Sequence, residues 1–568
     1  MIEIYVRDYA QNKWYRCSVE NAEIYVRGYS YYQGQFYTGK KFCHLVLNLI
    51  QGDIENELRR MNGFFAFLIR TGSEIIAAVD HIRSMPLFYA TEQQNVYVSD
   101  DVSWILENLQ RKTINRESVT EFLSTGYVTG RDTLFDEIKQ LQAGEFLVIK
   151  RDNNSLKRES KRYFTYRPSY GEGAIKVQKE ELLRELEKTL NRVFTRLVSL
   201  LRGRTAVIPL SGGYDSRLIA MMLKKLGYEN VICFSYGIKG NVESQISRMV
   251  AEKLGYKWLF VEYSNERWKK WYNSNAMRDY ERFSSNFASL PHIQDWPAVM
   301  ELKKNGDIPD DSVFLPGHTG DFIASGHIHW LTNTLGRIPK TNKQVMKGIF
   351  LVHYKLNKYD PQAYNIFKSK CRDIFHNCTA QSWTKFDSLG LYECWDWQER
   401  QSKFIVNSVR VYEFWNYDWL IPLWDKELVD FFQWLPFLYK RNKELYDEYV
   451  EMLASEFGIS ESKSFPSTSV TEPKKSGNIK IIAKRVMVKV LKRVMPITLW
   501  RILIKIKAYI VRCIYEEYYY AHPLAWFGMI ERSELKKEYY VSINSYLTKQ
   551  FIENLMNGVY YNSLREMR

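Results

Sequence analysis

The sequence contains no run of 18 uncharged apolar residues, so we expect no segment that spans a bilayer. Cysteine is scarce, with seven residues in 568, and their spacing includes no CxxC pair and no zinc pattern. The first residues already carry Glu3, Arg7 and Asp8, a composition that a secretory signal peptide does not have. Together these absences favour a cytoplasmic protein in a reducing compartment.

Acidic residues are absent between Pro473 and Tyr515, although 12 of the 80 Lys and Arg residues lie there. Outside this stretch, 68 basic residues face 65 acidic ones, so the remaining chain is close to neutral. That balance argues against nucleic-acid binding over the whole surface. The apolar spacing within 474–512 predicts a basic amphipathic helix, which could attach to an anionic membrane or dock on an acidic partner. The alternative is a helix that packs on the neighbouring domain and leaves its basic face in water.

A chain of 568 residues with 45% hydrophobic and 15% aromatic residues is expected to form two or three domains. Residues 1–165 predict short strands and turns with few helices. Residues 165–180 are the predicted linker, because they are rich in turn formers and lack periodicity. Helices then alternate with buried strands, which predicts a parallel α/β sheet. The predicted domains are therefore 1–165 and 175–468, followed by a tail at 469–568.

A glycine-rich loop follows the first buried strand of the second domain. The strand Thr205–Leu210 leads into Ser211–Gly213, and an amphipathic helix begins at Asp215. Backbone N–H groups at such a helix N-terminus favour bound phosphate, and glycines allow close approach. Ser211 and Ser216 add hydroxyls, and Asp215 is placed to hold the Mg²⁺ that accompanies a polyphosphate. The loop lacks the Gly-Lys-Ser/Thr ending of a Walker A loop, which disfavours a γ-phosphate-cleaving NTPase.

Two further strands are predicted to end at the same edge of the sheet. One runs from Val231 to Tyr236, and the other runs into Gly317 and, four residues later, Asp321. Ligands bind at the carboxyl ends of the strands in an open parallel sheet. Asp321 therefore places a second carboxylate at the edge where the glycine-rich loop lies.

The run Pro209-Leu210-Ser211-Gly212-Gly213 resembles the pyrophosphate-binding loop of the AMP-forming ATP pyrophosphatases, in the version found in the asparagine synthetase family. Segments 317–322 and 408–432 are similar, in the same order, to that family's second and third signatures. The resemblance implies that ATP is cleaved between its α- and β-phosphates to form an acyl-adenylate, from which a nitrogen nucleophile displaces AMP. The implied fold is an ATP-pyrophosphatase-type parallel α/β domain with helical additions.

Segments 60–69, 81–90 and 133–145 resemble the class II glutamine amidotransferase domain that precedes the synthetase domain in this family. The implied fold is an Ntn-type antiparallel β-sandwich with helices. The family's glutaminase nucleophile is an N-terminal cysteine, whereas this chain begins Met1-Ile2-Glu3. We therefore expect a retained scaffold without glutaminase activity, as in the β-lactam synthetases and lasso-peptide cyclases of the same superfamily.

The resemblance also implies roles for single residues. His318 stands where the family has a glutamate beside the amine nucleophile, which indicates a different nucleophile or proton acceptor, or only a hydrogen bond within the loop. Glu413 is a candidate partner of His318 or a surface residue. Lys463 is the candidate for the lysine that neutralises the α-phosphate, with Lys440 and Lys443 as alternatives. Asp215 and Asp321 would share Mg²⁺, and the residues that would contact ATP are Leu210, Ser211, Gly212, Gly213, Asp215, Ser216, Gly317 and, at the adenosine, Ser235 and Gly237.

The function that this resemblance implies is an ATP-dependent amide ligase with ATP and Mg²⁺ as cofactors. Its default substrates are aspartate and ammonia, that is, a small carboxylate and a small amine. One alternative is a ligase for another carboxylate, such as a cell-surface sugar acid, a peptide or a β-amino acid that cyclises. Another is a scaffold of the same fold that has lost its chemistry. The expected location is the cytoplasm, with membrane association if the basic tail binds lipid.

Overall fold

The structure is a computed structural model that describes residues 1–9, 11–19, 22–152, 155–168, 177–357, 360–378, 387–459, 521–537 and 542–560. Two predicted features, Lys463 and the basic helix at 474–512, lie outside these residues. Among the helices that the structure describes, none is both long and apolar enough to cross a bilayer.

Two sheets form the amino-terminal half. Their strands are β1 (Ile2–Tyr5), β2 (Tyr15–Val19), β3 (Ala22–Tyr32), β4 (Gln35–Thr38), β5 (Phe65–Arg70), β6 (Glu74–Val79), β7 (Phe88–Glu92), β8 (Asn95–Ser99), β9 (Ile138–Gln140), β10 (Glu145–Asp152) and β11 (Ser155–Arg162). The strand orders are β1-β8-β7-β9 and β11-β10-β6-β5-β3-β2, with β4 paired to β3. β1 and β8 run parallel, whereas the central pairs of the larger sheet are antiparallel. Five of the six residues of β5 are buried, so this strand is covered on both faces.

Four helices accompany these sheets: α1 (Gly39–Leu49), α2 (Ile54–Arg60), α3 (Val102–Asn108) and α4 (Arg116–Thr125). The ring of Phe42 on α1 packs edge-on against Phe65 of β5, with 5.8 Å between ring centroids. Side-chain caps define the starts of α2, α3 and α4, where Asp53, Asp101 and Asn115 accept backbone N–H groups. The expected antiparallel β-sandwich with helices is confirmed.

A five-stranded parallel sheet forms the core of the second half. Its strands are β12 (Ala206–Pro209), β13 (Val231–Gly237), β14 (Lys257–Glu262), β15 (Val313–Phe314) and β16 (Asp418–Trp419), in the order β14-β13-β12-β15-β16. The chain moves outward from β12 to β13 and β14, then returns to the other side of β12 for β15 and β16. The crevice between the ends of β12 and β15 is therefore the topological switch point, where ligands bind in such sheets. The expected parallel α/β domain is confirmed.

Helices surround this sheet. They are α5 (Lys179–Leu201), α6 (Tyr214–Lys225), α7 (Val242–Leu254), α8 (Asn265–Tyr272), α9 (Asn275–Ser285), α10 (Trp296–Lys304), α11 (Gly320–Ile323), α12 (Ile328–Leu335), α13 (Asn342–His353), α14 (Pro361–Cys378), α15 (Asp387–Trp395), α16 (Arg410–Phe414), α17 (Lys426–Trp434), α18 (Phe437–Lys440) and α19 (Glu444–Glu456). A π-helix, Asp396–Ile405, and a 3-10 turn, Val406–Val409, continue α15 toward α16. π-Helical turns are rare and often mark functional sites.

The described residues beyond 520 pack on the rest of the molecule. They form a 3-10 turn (Trp526–Met529), α20 (Arg532–Lys537) and α21 (Ile543–Met556). Phe551 of α21 contacts Phe122 of α4 and Phe287, with ring centroids 5.4 and 6.4 Å apart. This part of the region predicted as a basic tail therefore packs against both halves of the molecule.

Among the cysteines of the described residues, Cys17, Cys43, Cys233 and Cys371 carry free thiols. Burial, and next the neighbouring Cys17, raise the pKa of the Cys43 thiol, which therefore is not poised as a nucleophile.

Candidate functional site

The glycine-rich loop lies where β12 gives way to α6. The backbone N–H of Ser211 donates to the hydroxyl of Ser216 (3.1 Å), and the N–H of Gly213 donates to the hydroxyl of Ser211 (3.2 Å). These bonds hold the loop against the first turn of its own helix. A Cβ at Gly212 would lie 3.1 Å from Ile246 of α7, so the packing of the loop on that helix leaves little room for a side chain.

The loop after β15 packs directly on the glycine-rich loop. A Cβ at Gly317 would lie 2.6 Å from the backbone nitrogen of Ser216, and one at Gly320 would lie 2.5 Å from a carboxylate oxygen of Asp215. Real Cβ atoms are not found this close to other heavy atoms. Glycine at both positions is therefore what allows the two loops to approach.

This approach places Asp215 beside Asp321. The backbone N–H of Asp321 donates to the Asp215 carboxylate (3.1 Å), whose other oxygen accepts the hydroxyl of Tyr446 (2.7 Å). Burial, and next the charge of Asp321, raise the pKa of Asp215 to about 7, although Tyr446 and Lys443 oppose the shift. The sequence predicted that these two aspartates meet, and the structure brings them together at the switch point.

The donor set suits a divalent cation that is shared with a ligand. Two adjacent carboxylates repel each other, and a cation between them would relieve that repulsion. Within the described residues, no group of three or more His, Cys, Asp or Glu side chains could hold a metal ion by itself. Mg²⁺ is commonly bound through one or two carboxylates together with substrate phosphates and water, which is the set that fits here.

His327 was not predicted as a site residue, yet it joins Asp321 to a third carboxylate. Its Nε2 lies 3.1 Å from Asp321, its Nδ1 lies 2.6 Å from Asp396, and its ring stacks on Trp330 with 4.0 Å between centroids. Burial alone would lower the pKa of His327, but Asp396 and Asp321 outweigh it and raise that pKa to about 9. The resulting imidazolium holds the pKa of Asp321 below its usual range despite burial.

His318 is a neutral imidazole whose tautomer follows from its neighbours. The hydroxyl of Ser408 donates its one hydrogen to the carbonyl of Ile405 (2.7 Å), so it accepts the Nε2–H of His318 (3.0 Å). The lone pair of the ring is then on Nδ1, which is buried and has no hydrogen-bond partner among the described residues. Burial, and next the nearby His292, lower the pKa of His318 to about 3.

Glu413 lies in a different place from the one predicted. Its carboxylate pairs with Arg27 of β3 (2.5 Å) and with Arg410 (2.6 Å), and it accepts the indole N–H of Trp419 (2.9 Å). All of these side chains are buried, and the group joins the two halves of the molecule. The prediction that Glu413 faces His318 is therefore wrong, because two arginines and an indole already occupy the carboxylate. It is equally not the surface residue of the alternative.

The three candidate lysines differ in position. Lys443 lies beside the carboxylates, since its charge opposes the raised pKa of Asp215 and its side chain reaches within 3.0 Å of the Cβ position of Gly326. Lys440 is buried 3.1 Å from the hydroxyl of Tyr166 and 3.5 Å from Glu393, and burial lowers its pKa to about 8. Lys463 lies outside the described residues.

The predicted adenosine contacts lie at the end of β13. Ser235 is buried, and Gly237 is the last residue of the strand with φ +123°. The N–H of Leu210 donates to the carbonyl of Phe234 (2.9 Å), so the glycine-rich loop begins beside this strand end. Ser235 and Gly237 therefore lie on the strand next to the loop, as the sequence predicted.

In the amino-terminal half, Met1 bonds to the first residue of β8. The amino group of Met1 donates to the side chain of Asn95 (2.9 Å). The side chain of Asn62, which follows α2, bonds across the domain boundary to Asp425 (3.0 Å) and to the N–H of Lys426 (3.0 Å). These groups serve as structural contacts in the described molecule.

The glutamine amidotransferase domain family matches residues 22–164, and the asparagine synthase family matches residues 198–463. None of the curated proteins matches the chain significantly.

Solved structures with some likeness include the glutamine phosphoribosylpyrophosphate amidotransferase of B. subtilis, complexed with ADP and GMP. It is 13% identical and has a TM-score of 0.19, with 62% of this chain and 77% of that chain covered. The NH3-dependent NAD synthetase of Campylobacter jejuni is 12% identical over 37% of this chain and 100% of its own, with a TM-score of 0.17. These scores are too low to carry an argument, so the two family matches are what identify the domains.

Proposed function

Since this chain belongs to the asparagine synthetase family and is an ATP-dependent amidation ligase, we propose that it activates a carboxylate as an acyl-adenylate. AMP and pyrophosphate are the products released. The observation that carries the proposal is the meeting of Asp215 and Asp321 beside the Ser211–Gly213 loop. This combination of a phosphate-binding turn and paired carboxylates suits the departure of a diphosphate.

The loop would bind the phosphates of ATP, and the carboxylates would bind its metal ion. The N-terminus of α6 and the serines of the loop would bind the β- and γ-phosphates. Asp215 and Asp321 would hold Mg²⁺, which when bound supplies positive charge to the leaving pyrophosphate. His327 keeps Asp321 ionised and oriented, because its other nitrogen is anchored on Asp396. Lys443, whose charge acts on Asp215, is our choice for the cation that neutralises charge developing on the α-phosphate.

His318 supports an acceptor role toward the amine. With its lone pair on Nδ1, it can take a hydrogen bond from an amine N–H and leave the amine lone pair free to attack the acyl group. A pKa of about 3 makes full proton transfer to this ring unfavourable, so the role is orientation. The amine would be free ammonia or an amine on the substrate, because we propose that the amino-terminal domain is not a glutaminase.

Aspartate with ammonia is the default substrate pair. The replacement of a family glutamate by His318 favours, as the second candidate, a ligase for another carboxylate and a neutral amine. A scaffold without chemistry is the remaining alternative, and the joined Asp215, Asp321 and His327 argue against it. Such a scaffold would not need to bring like charges together at a cost in stability.

Pyrophosphate release tests the proposal. With ATP, Mg²⁺ and a panel of carboxylates, we expect steady release that Asp215→Ala abolishes. Asp310→Asn is the matched control, since Asp310 is 90% exposed and pairs only at the surface with Lys303 (3.3 Å). If no carboxylate elicits release from the folded protein, the scaffold is the better description. Mass spectrometry of the trapped adenylate would then identify an active carboxylate.

A separate assay tests the amino-terminal domain. We expect no glutamate from glutamine under conditions in which ammonia supports turnover. Measurable glutamate formation would contradict the loss of glutaminase activity.

A further inference from the structure

The segment 521–530 is docked on the end of β13 and on α8. The N–H of Ile238, directly after β13, donates to the carbonyl of Pro523 (2.8 Å). The indole N–H of the buried Trp268 donates to the carbonyl of Leu524 (2.6 Å). The segment therefore bonds to both elements through its own backbone, and its side chains Phe527 and Met529 are buried as well.

Two glycines show how closely the segment 521–530 packs on β13 and α8. Gly237 has φ +123°, and a Cβ there would lie 2.7 Å from the carbonyl oxygen of Pro523. A Cβ at Gly528 would collide with the backbone of Asn265 at the start of α8. The glycine at the end of β13 is thus required by the neighbouring segment itself.

The same strand end borders the glycine-rich loop. β13 pairs with β12, and the N–H of Leu210 bonds to Phe234 three residues before Gly237. On its other side, the carbonyl of Gly237 accepts the N–H of Tyr263 (2.8 Å). The shape of this edge is therefore set by three elements, and the segment 521–530 is the one that comes from outside the asparagine synthase match.

Beside the strand end, the segment also contains an aromatic pair. The ring of His522, itself buried, stacks on Trp526, with 5.0 Å between centroids and 25° between planes. Burial lowers the pKa of His522 to about 4, so this pair is uncharged at neutral pH. The neutral, packed rings therefore help to fix the segment beside the end of β13.

We propose that the segment 521–530 forms part of the wall of the nucleotide site and holds the end of β13 in the shape that accepts the adenosine of ATP. This inference rests on the proposed function and adds to it a second stretch of chain that determines nucleotide affinity. It separates two parts of the ligand, because the phosphates meet the loop at 211–213 while the base and ribose meet the edge that the segment shapes.

Gly528→Val tests this division, since a side chain at 528 displaces the segment from Asn265. Isothermal titration measures binding of Mg²⁺ with a non-hydrolysable ATP analogue and, separately, with inorganic pyrophosphate. We expect the analogue to bind about tenfold more weakly, a change of about 1.4 kcal/mol. Pyrophosphate affinity should stay within about twofold, because its contacts lie at the loop.

The matched control is Glu531→Gln, which removes an exposed ion pair (2.6 Å) between the residue directly after the segment and Lys269 of α8. It should leave both affinities unchanged. Equal analogue affinity in Gly528→Val and the natural protein overturns this inference alone. A natural protein that binds neither ligand instead contradicts the proposed function.

Hydrogen exchange on the natural protein provides a test that needs no variant to fold. Binding of the analogue should slow exchange at both 236–241 and 521–530. Pyrophosphate alone should slow neither. Analogue binding without any slowing at 521–530 overturns the inference.

Discussion

Asp215 is a residue of the cleft whose ionised carboxylate is destabilised by its surroundings. Its carboxylate is partly buried beside the half-exposed Asp321, and burial followed by that charge raises its pKa to about 7. A carboxyl whose pKa is higher in the folded than in the unfolded state stabilises the fold at low pH. That contribution is complete below about pH 4 and is lost as the pH rises through about 7.

Asp215→Asn is therefore expected to stabilise the metal-free protein at high pH. At pH 5 the folded aspartate is largely protonated, so only a small part of the difference is present and the variant should melt close to the natural protein. At pH 8.5 the variant should gain roughly 1–2 kcal/mol, discounted because Asp321 is 49% exposed. Thermal melts in EDTA at the two pH values measure this. A variant that is less stable at pH 8.5 than at pH 5, relative to the natural protein, would count against the assignment.

Lys443 and Lys440 are expected to respond differently to the same substitution. Lys443→Met should lower kcat by roughly 100-fold or more, because a preorganised cation is lost from the developing charge, while stability changes little. Lys440→Met should destabilise the fold by roughly 3–5 kcal/mol, because Glu393 loses a buried cation. Turnover and thermal melts of both variants distinguish the roles. Partial rescue by Lys443→Arg would support charge as the relevant property.

Site residues that directly follow a predicted strand could be predicted from the sequence. Site residues that are brought together only by tertiary packing could not. Asp215 and Asp321 were predicted because each comes after a strand of one sheet. Asp396 lies 69 residues from His327 and occurs in a π-helix, so no local spacing in the sequence predicts the hydrogen bond between them. Glu413 was misplaced because its partner Arg27 belongs to the other half of the chain.

Among the elements, the two loops at the switch point depend on glycine for their contact. Gly320→Ala is expected to push the Asp215 carboxylate away, since the new Cβ would lie 2.5 Å from it. Overpacking of this kind costs roughly 1–3 kcal/mol, and the displaced carboxylate should also weaken binding of Mg²⁺ with pyrophosphate. Titration calorimetry and thermal melts provide the two measurements.

Gly72→Ala is the control for that substitution. No atom lies within 4 Å of a Cβ at Gly72, so stability and binding should remain those of the natural protein. Unchanged binding in Gly320→Ala would show that the two loops are free to separate, contrary to the packing described.

Elements with a clear apolar pattern were predicted from the sequence. The strand expected from Val231 to Tyr236 is Val231–Gly237, and the amphipathic helix expected to begin at Asp215 is Tyr214–Lys225. The strand expected to run into Gly317 is β15, whereas the two-residue β16 was not predicted, because it is too short to show a pattern and is defined by its pairing with β15. The π-helix has no simple apolar period that would separate it from an ordinary helix.

In the whole molecule, the two halves are joined by a buried ionic group of Arg27, Glu413 and Arg410. Glu413→Ala would leave two buried guanidinium groups without their carboxylate, so we expect a loss of roughly 3–5 kcal/mol. Urea unfolding measures the change. Glu252→Gln is the control, because the ion pair of Glu252 with Arg248 (2.8 Å) is exposed at both side chains and should contribute less than about 1 kcal/mol.

The stretch 474–512 remains a prediction at this scale. Its basic residues should attract an anionic surface, so we expect co-sedimentation with phosphatidylserine vesicles and none with neutral vesicles. Raising the salt from about 0.05 to 0.5 M should release the protein. A protein that ignores both vesicle types, and whose 474–512 amides are slow to exchange, would favour the packed helix. The domain boundaries predicted from the sequence likewise stay a prediction.

The buried ionic group of Arg27, Glu413 and Arg410 has a consequence for the synthesis of the chain. Arg27 and Glu413 are 386 positions apart, so a ribosome makes the arginine long before its partner. At 5–20 residues per second the delay is roughly 20–80 s, during which the nascent amino-terminal half cannot complete its final packing. Until the second half emerges, Arg27 therefore lacks the carboxylate that it pairs with in the native state.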